Sequence, residues 1–186
     1  MNDSRLDAKL GEILSRYQKA FINKSYKDEN QDLDVLMDVF GLTPDTKREN
    51  RQYWGRELGM CWQLIVASVF EHLREDFGPA LRVGSDEPCD FTFDRFAVDT
   101  KYRIGSGDSG TLKKFRSYGP LLRELGYEPV FLILRTDNLP AAITACHTGT
   151  WEVLTDSASF GFIETHTGFD LRRFLIRISG DFRVER

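Results

Sequence analysis

Hydrophobic residues recur at helical spacing through the first forty percent of the chain. The spacing predicts a helix over residues 4–26 and a short helix over Leu33–Phe40, which Gly41 should end. Thr43-Pro44-Asp45 is typical of a turn that starts the next helix. The longest helical pattern follows, over residues 47–76, and Gly78-Pro79 limits how far it can extend.

The long helix carries one apolar stripe on a helical wheel, where successive residues are about 100° apart. Glu57 lies at the margin of that stripe, so its carboxylate is predicted to be partly buried and to need a partner. The predicted stripe contains Trp54, Leu58, Cys61, Ile65, Val69 and His72.

From Leu81 the period changes to two, which is typical of β-strands. The pattern predicts short strands over residues 81–84 and 90–94, and a third strand over Phe96–Arg103. Asp94-Arg95, between the last two, is predicted to form a hairpin turn. A loop over Gly105–Gly110 then follows.

The pattern in the last third of the chain predicts further helices and strands. A helix is expected over residues 111–125, and the apolar run Pro129–Leu134 predicts a strand buried on both faces. A loop over residues 138–149, a helix near 150–164 and a last helix or strand near 169–178 complete the pattern. The order predicts an α/β or α+β domain with a central mixed sheet flanked by helices. We divide the chain into an N-terminal helical segment, residues 1–46, and a main domain, residues 47–186.

Composition narrows the class of protein. The chain has 186 residues, of which 41% are hydrophobic and 29% charged, as expected for a globular domain with a sizeable core. No apolar run reaches the roughly 18 residues of a membrane span, so we expect no membrane partner. The three cysteines are far apart and show no zinc-ligand spacing, so a reducing cytoplasm is the expected location. A net charge of −4 leaves room for a local basic patch.

Three charged residues of the predicted hairpin are the strongest candidates for chemistry. Asp90 begins one strand and Asp99 lies late in the returning strand, so antiparallel pairing can bring their carboxylates together. Lys101 is two residues after Asp99 and points to the same face. Two adjacent carboxylates repel each other unless a cation lies between them, and such oxygen ligands suit Mg²⁺. A lysine beside them is suited to metal-assisted hydrolysis of a phosphodiester.

The stretch from Pro88-Cys89-Asp90 to Asp99-Thr100-Lys101 resembles the motif of the PD-(D/E)xK nuclease superfamily, which includes most type II restriction endonucleases. The upstream Glu57 stands where that family often has a further acid, and the order of predicted elements is that of its αβββαβ core. Cys89 is a departure, because the family usually has Pro directly before Asp. The tail over residues 162–171 also resembles tails of restriction enzymes, and within the superfamily residues 99–110 resemble the ApaLI-like restriction endonucleases.

The resemblance implies a Mg²⁺-dependent, site-specific endonuclease for double-stranded DNA, as found in restriction-modification systems. It assigns Asp90, Asp99 and Glu57 as metal ligands, adds the backbone carbonyl of Thr100, and gives Lys101 the task of positioning and activating the attacking water. It further implies 5′-phosphate products and a symmetric homodimer that reads a palindrome. The N-terminal segment is our candidate for dimerisation.

Basic residues cluster after the hairpin and predict a surface that neutralises DNA phosphates. Arg103 is also suited to reading guanine in the major groove. The small residues of the following loop permit close approach to phosphates or base edges. The predicted DNA contacts are Arg103, Ser106, Asp108, Ser109, Lys113, Lys114 and Arg116.

Two other functions remain open from the sequence. One is a nuclease of the same fold that recognises DNA structure, as repair and junction-resolving enzymes do. The other is a non-catalytic nucleotide- or DNA-binding module, since Gly105–Gly110 has the Gly-x-Gly-x-x-Gly spacing of dinucleotide-binding loops. Asp99 and Lys101 in the preceding strand argue against that module, because a strand buried under helices should be apolar.

Overall fold

A computed structural model describes residues 31–105 and 107–184. The helix predicted over residues 4–26, and with it most of the candidate dimerisation segment, lies outside the described residues. Residues 31–186 form one compact unit. Its helices are α1 (Val35–Phe40), α2 (Pro44–Glu49), α3 (Arg51–Leu73), α4 (Ser109–Glu124), α5 (Pro140–Thr148), α6 (Ser157–Thr167) and α7 (Leu171–Arg177). Its strands are β1 (Gly78–Pro79), β2 (Phe91–Phe93), β3 (Phe96–Lys101), β4 (Glu128–Ile133) and β5 (Glu152–Thr155).

The five strands form one mixed sheet in the order β1-β2-β3-β4-β5. The first three strands are antiparallel neighbours, and β4 and β5 continue the sheet parallel to β3. Helix α4 makes the crossover between β3 and β4, as a parallel connection requires. The predicted mixed sheet between helices is therefore confirmed.

Side-chain caps explain where the first helices begin. The Asp34 carboxylate accepts hydrogen bonds from two backbone N–H groups of the first turn of α1, and Thr43 caps α2 in the same way. Gly41 ends α1 with a left-handed φ of 62°, as predicted. Asn50 caps α3, so the helix predicted as one piece over residues 47–76 is divided at this residue and ends at Leu73.

Helix α3 buries a row of residues four apart, namely Trp54, Leu58, Trp62, Val66 and Phe70. Such a row drifts by about 40° per step, so the contact line with the sheet leaves the predicted stripe towards the end of the helix. Cys61, Ile65 and Val69 are only partly buried and His72 is exposed, which corrects the predicted stripe. Trp62 is fully buried, and its indole N–H donates to the Leu132 carbonyl oxygen over 3.0 Å.

Alternate side chains of the central strands enter two separate cores. On β3, Phe96 and Val98 join the core formed with α3, whereas Ala97 joins the core on the α4 and α5 side. On β4, Val130 and Leu132 face the α3 side, while Phe131 and Ile133 belong to the other core. Helices on both faces explain why β4 is apolar from Pro129 to Ile133.

Several predicted elements are wrong in type. The loop predicted over residues 138–149 contains α5, which begins with Pro140 at its first position, where a missing N–H costs nothing. The helix predicted near 150–164 starts instead as the short strand β5 and becomes helical only at Ser157. The strand predicted over 81–84 is reduced to one bridge between Val83 and Asp86. The segment near 169–178 is helical.

Helices α4 and α5 approach each other through two glycines. A β-carbon at Gly119 would lie 1.7 Å from the backbone oxygen of Gly149, so no side chain fits without moving the backbone. We expect Gly119→Ala to lower the free energy of unfolding by about 1–3 kcal/mol. Gly161→Ala is the matched control, because a β-carbon there meets nothing within 4 Å and should stabilise α6 by up to about 1 kcal/mol. Urea denaturation of both variants measures the difference, and equal effects would contradict the close approach.

His166 lies among Phe93, Phe96 and Phe162, with ring centroids 4.4–5.3 Å away. Burial, aided by the charge of Arg74, lowers the pKa of His166 from its ordinary value of 6.5. Below pH 6.5 the unfolded chain therefore binds a proton that the folded chain resists, and stability falls as the pH decreases.

We expect His166→Phe to remove this contribution while keeping an aromatic ring in the cluster. The measurement is the free energy of unfolding of both proteins between neutral and mildly acidic pH. The difference between their curves isolates His166, because other groups titrate in both. Parallel curves would show that the histidine pKa does not change on folding.

Candidate active site

The predicted charged residues come together where β2 and β3 separate. The ladder ends at the pair Phe91 and Val98, and the Asp90 N–H still donates to the Val98 carbonyl oxygen over 2.8 Å. Beyond this point one Asp90 carboxylate oxygen accepts from the backbone N–H and the hydroxyl of Thr100, at 2.7 and 2.6 Å. The Asp90 side chain thus takes the place of the next backbone acceptor and is fixed at the end of the strand.

Asp99 and Lys101 alternate with Thr100 on β3, so they share the face opposite its side chain. The Lys101 ammonium donates to the Asp99 carboxylate and to the Thr100 carbonyl oxygen, the latter at 3.1 Å. The Asp99 side chain is 15% exposed and that of Lys101 36%, so the pair is sheltered but still reachable from solvent.

The charges of this cluster act on one another. Burial raises the pKa of Asp99 to about 6; the charge of Lys101 opposes this rise, and that of Asp90 adds to it. Burial alone would lower the pKa of Lys101, but the two carboxylates outweigh it and raise that pKa above its ordinary value. With a pKa of about 6, Asp99 is therefore mainly ionised at neutral pH, beside the ammonium of Lys101.

A divalent cation fits this set of donors. The oxygens at hand are the two carboxylates and the Thr100 carbonyl, and each carboxylate has more lone pairs than its present hydrogen bonds use. Mg²⁺ keeps several waters and is bound by one or two carboxylates, so a third acid is not required. Within residues 31–105 and 107–184, no three His, Cys, Asp or Glu side chains form a group that could hold a metal.

Gln63 is the residue of α3 that reaches the cluster. Its amide N–H donates to the second carboxylate oxygen of Asp90 over 2.7 Å. Glu57, the predicted acid of this helix, instead pairs with its neighbour Arg56 at 2.8 Å, and its side chain is 44% exposed. A signal for Gln63 was present, because it is a polar residue inside the apolar run Cys61–Phe70.

A cavity of about 400 Å³ opens beside Asp99 and Lys101. Its other walls are the turn Ser85–Glu87 and one side of α4, which contributes Lys114 and Tyr118. The floor is formed by the rings of Phe115, Phe131 and Trp151. This volume lies within the roughly 300–1,000 Å³ range of ligand sites, and two of the candidate residues, Asp99 and Lys101, form part of its lining.

The predicted DNA contacts fall into different environments. Arg103 is 22% exposed and its guanidinium donates to the Asp137 carboxylate and backbone carbonyl, at 3.1 and 2.9 Å. Asp108 caps α4 by accepting from the Thr111 N–H over 2.9 Å. Ser109, Lys113 and Arg116 are exposed on α4, Lys114 lines the cavity, and Ser106 lies outside the described residues.

A buried polar network adjoins the end of β3 and was not predicted. Arg135 is 4% exposed and pairs with Asp34 at 2.9 Å and with Asp137 at 2.8 Å. Tyr102, directly after Lys101, donates to Asp34 and accepts from Lys47 over 2.8 Å. Burial, with the charge of Asp34, raises the pKa of Tyr102 far above its ordinary value, so the phenol stays neutral.

No helix among the described residues is long and apolar enough to cross a membrane. No protein-family model, curated protein or solved structure matches this chain.

Proposed function

We propose that the chain is a Mg²⁺-dependent endonuclease of the PD-(D/E)xK fold that cleaves double-stranded DNA at specific sites, as type II restriction enzymes do. The observation that carries the proposal is that Asp90, Asp99 and Lys101 lie at the same end of the β2–β3 hairpin, where the Lys101 ammonium contacts Asp99 and the charge of Asp90 acts on both. Two carboxylates and an ammonium are the groups that metal-assisted phosphodiester hydrolysis needs, and two of the three, Asp99 and Lys101, line the cavity.

The order of elements supports the same function. A long helix, three antiparallel strands, a crossover helix and a parallel strand follow one another as α3, β1–β3, α4 and β4. The resemblance in the sequence implies this order, and the candidate residues lie at its central hairpin. A fold alone does not determine a function, so the proposed chemistry depends on the residues themselves.

Each residue has a task in the proposed reaction. Asp90, Asp99 and the Thr100 carbonyl would hold Mg²⁺, which supplies charge stabilisation for the phosphate and the leaving 3′ oxygen. Gln63 and Thr100 orient the Asp90 carboxylate. Since the two carboxylates raise its pKa, Lys101 enters the reaction as an ammonium that can donate to a phosphate oxygen and position the attacking water.

Digestion of a linear duplex of known sequence tests the proposal. We expect discrete fragments with 5′-phosphate ends in the presence of Mg²⁺, and none with Asp99→Ala or without Mg²⁺. Fragments from branched DNA but not from linear duplex would favour a structure-specific nuclease. No cleavage with Mg²⁺ or Mn²⁺ over a range of salt would contradict the nuclease and favour a binding module that uses the Gly105–Gly110 loop.

The same proposal includes a homodimer, because one copy per strand is the symmetric way to cut a palindrome. Sedimentation of the full chain, alone and with a duplex that contains the site found by digestion, measures the number of copies in the complex. A single copy that cuts both strands would contradict the symmetric arrangement.

The geometry and the sequence resemblance favour different residues of α3: the geometry favours Gln63, and the resemblance implies Glu57. From the geometry we expect Gln63→Ala to slow cleavage by about tenfold, since a hydrogen bond to a charged group contributes about 1.5–3 kcal/mol and this one is partly exposed. Glu57→Ala should have a smaller effect, because its carboxylate pairs with Arg56. Single-turnover rates of both variants decide between them. A greater loss in Glu57→Ala would favour Glu57 as the further metal ligand that the sequence resemblance implies.

A further inference from the structure

Three groups on the wall of the cavity form a small polar site opposite Asp99 and Lys101. Lys114, on α4, lies 4.0 Å from the carboxylate of Asp86 and 5.9 Å from the centroid of the Tyr118 ring. Tyr118, one turn further along α4, lines the same cavity wall. The Lys114 ammonium thus faces the Asp86 carboxylate with the tyrosine beside it, and an ammonium next to a hydroxyl is a pair of donors that can hold an anion.

Backbone hydrogen bonds fix the position of Asp86, but its exposed side chain can turn away from Lys114 into solvent. Val83 and Asp86 exchange two backbone hydrogen bonds, of 2.9 and 3.1 Å, around a turn in which Gly84 has φ of 63°. The carboxylate itself is 50% exposed and Lys114 is 63% exposed. Solvent-exposed ion pairs contribute little to stability, so another anion can replace this carboxylate at small cost.

We propose that Lys114 and Tyr118 form a subsite for a backbone phosphate next to the scissile one, and that Asp86 occupies this subsite until the phosphate displaces it. This inference rests on the proposed function, because the phosphate belongs to the strand whose neighbouring phosphate meets Asp99 and Lys101 in the same cavity. A phosphodiester offers two charged oxygens to the ammonium and the hydroxyl. The displaced carboxylate returns to water, so the exchange costs no buried charge.

The subsite predicts a gain in affinity when an acidic residue is removed. We expect Asp86→Asn to bind a short fluorescein-labelled duplex about two- to fivefold more tightly than the unmodified chain, because the competing pair is an exposed one. Fluorescence anisotropy with Ca²⁺ in place of Mg²⁺ measures binding without cleavage. Glu87→Gln is the matched control, since it removes the same charge from the next residue of the same cavity wall, where the carboxylate pairs with Arg82 at 3.1 Å.

A double variant separates the subsite from a general charge effect. In the Lys114→Met background, the gain from Asp86→Asn should disappear, whereas any gain from Glu87→Gln should persist. Lys114→Met alone should also reduce the slope of log affinity against log salt by about 0.9, the loss of one phosphate contact. An equal gain from Asp86→Asn with and without Lys114 would overturn the subsite, and so would weaker binding or no duplex binding by any variant.

These experiments distinguish failure of the proposed nuclease activity from failure of the proposed phosphate subsite. Mg²⁺-dependent digestion with no Lys114-dependent gain in Asp86→Asn would leave the nuclease standing and overturn the subsite. A Lys114-dependent gain in a chain that cuts no DNA would keep the phosphate subsite and remove the nuclease.

Discussion

Lys101→Met is expected to slow DNA cleavage by about 10²–10⁴-fold, the range for loss of a positioned acid–base or charge-stabilising group. The methionine keeps most of the length of the side chain but removes the ammonium that contacts Asp99 and the Thr100 carbonyl. Single-turnover cleavage of a plasmid in saturating Mg²⁺ gives the rate, and anisotropy in Ca²⁺ gives the affinity. We expect the affinity to change far less than the rate, because only one of several phosphate contacts is lost.

Arg177→Met controls for the loss of one positive charge. Arg177 lies in the last turn of α7 and is not among the residues that line the cavity. Thermal denaturation of both variants shows whether each remains folded. A Lys101→Met chain that is folded and cuts DNA within tenfold of the unmodified rate would remove Lys101 from the proposed mechanism.

The catalytic candidates could be predicted because the contacts that join them are local in the chain. Asp90 and Asp99 belong to one hairpin, and a tight turn with Asp94 at φ of 46° sets their register. The position of Lys101 beside Asp99 follows from the period of two alone, because residues two apart on a strand share a face. Local pattern and short connection together therefore placed three side chains at one point of the sheet.

The partners of these residues depend on packing between distant segments, which a pattern in one segment does not contain. Gln63 meets Asp90 because α3 crosses the sheet with Trp62 buried against Leu132, a contact between residues 70 positions apart. Asp34 and Arg135 are 101 positions apart. A polar residue next to an apolar run marks such a site but does not identify its partner.

Strand β5 was mistaken for helix because it is a short edge strand with only two apolar residues, Val153 and Leu154. Four residues are too few for a period of two to be distinguished from a period of 3.6. The parallel pairing with β4 decides its conformation, and that pairing requires the crossover by α5. The missed helix and the missed strand therefore have one cause.

Arg135→Met should lower the free energy of unfolding by about 3–5 kcal/mol, the cost of leaving buried charges without their partner. The guanidinium is 4% exposed and donates to carboxylates on both sides, Asp34 and Asp137. Methionine has a similar reach but no donor, so Asp34 and Asp137 would each lose a buried cationic partner, although Tyr102 still donates to Asp34 and Arg103 to Asp137. Urea denaturation followed by tryptophan fluorescence measures the change, since Trp62 lies in that core.

Arg95→Met is the matched control, because Arg95 forms an ion pair with Glu128 at 3.1 Å that is 62% and 46% exposed. Solvent screens this pair, so its loss should cost less than about 1 kcal/mol. Equal costs for the two variants would show that Arg135 is not held as the geometry indicates. In the Asp137→Asn background the cost of Arg135→Met should shrink, because one of the two carboxylates that pair with Arg135 is then already absent. Such coupling would establish that the ion pairs of Arg135, and not the volume of its side chain, stabilise the segment that follows β3.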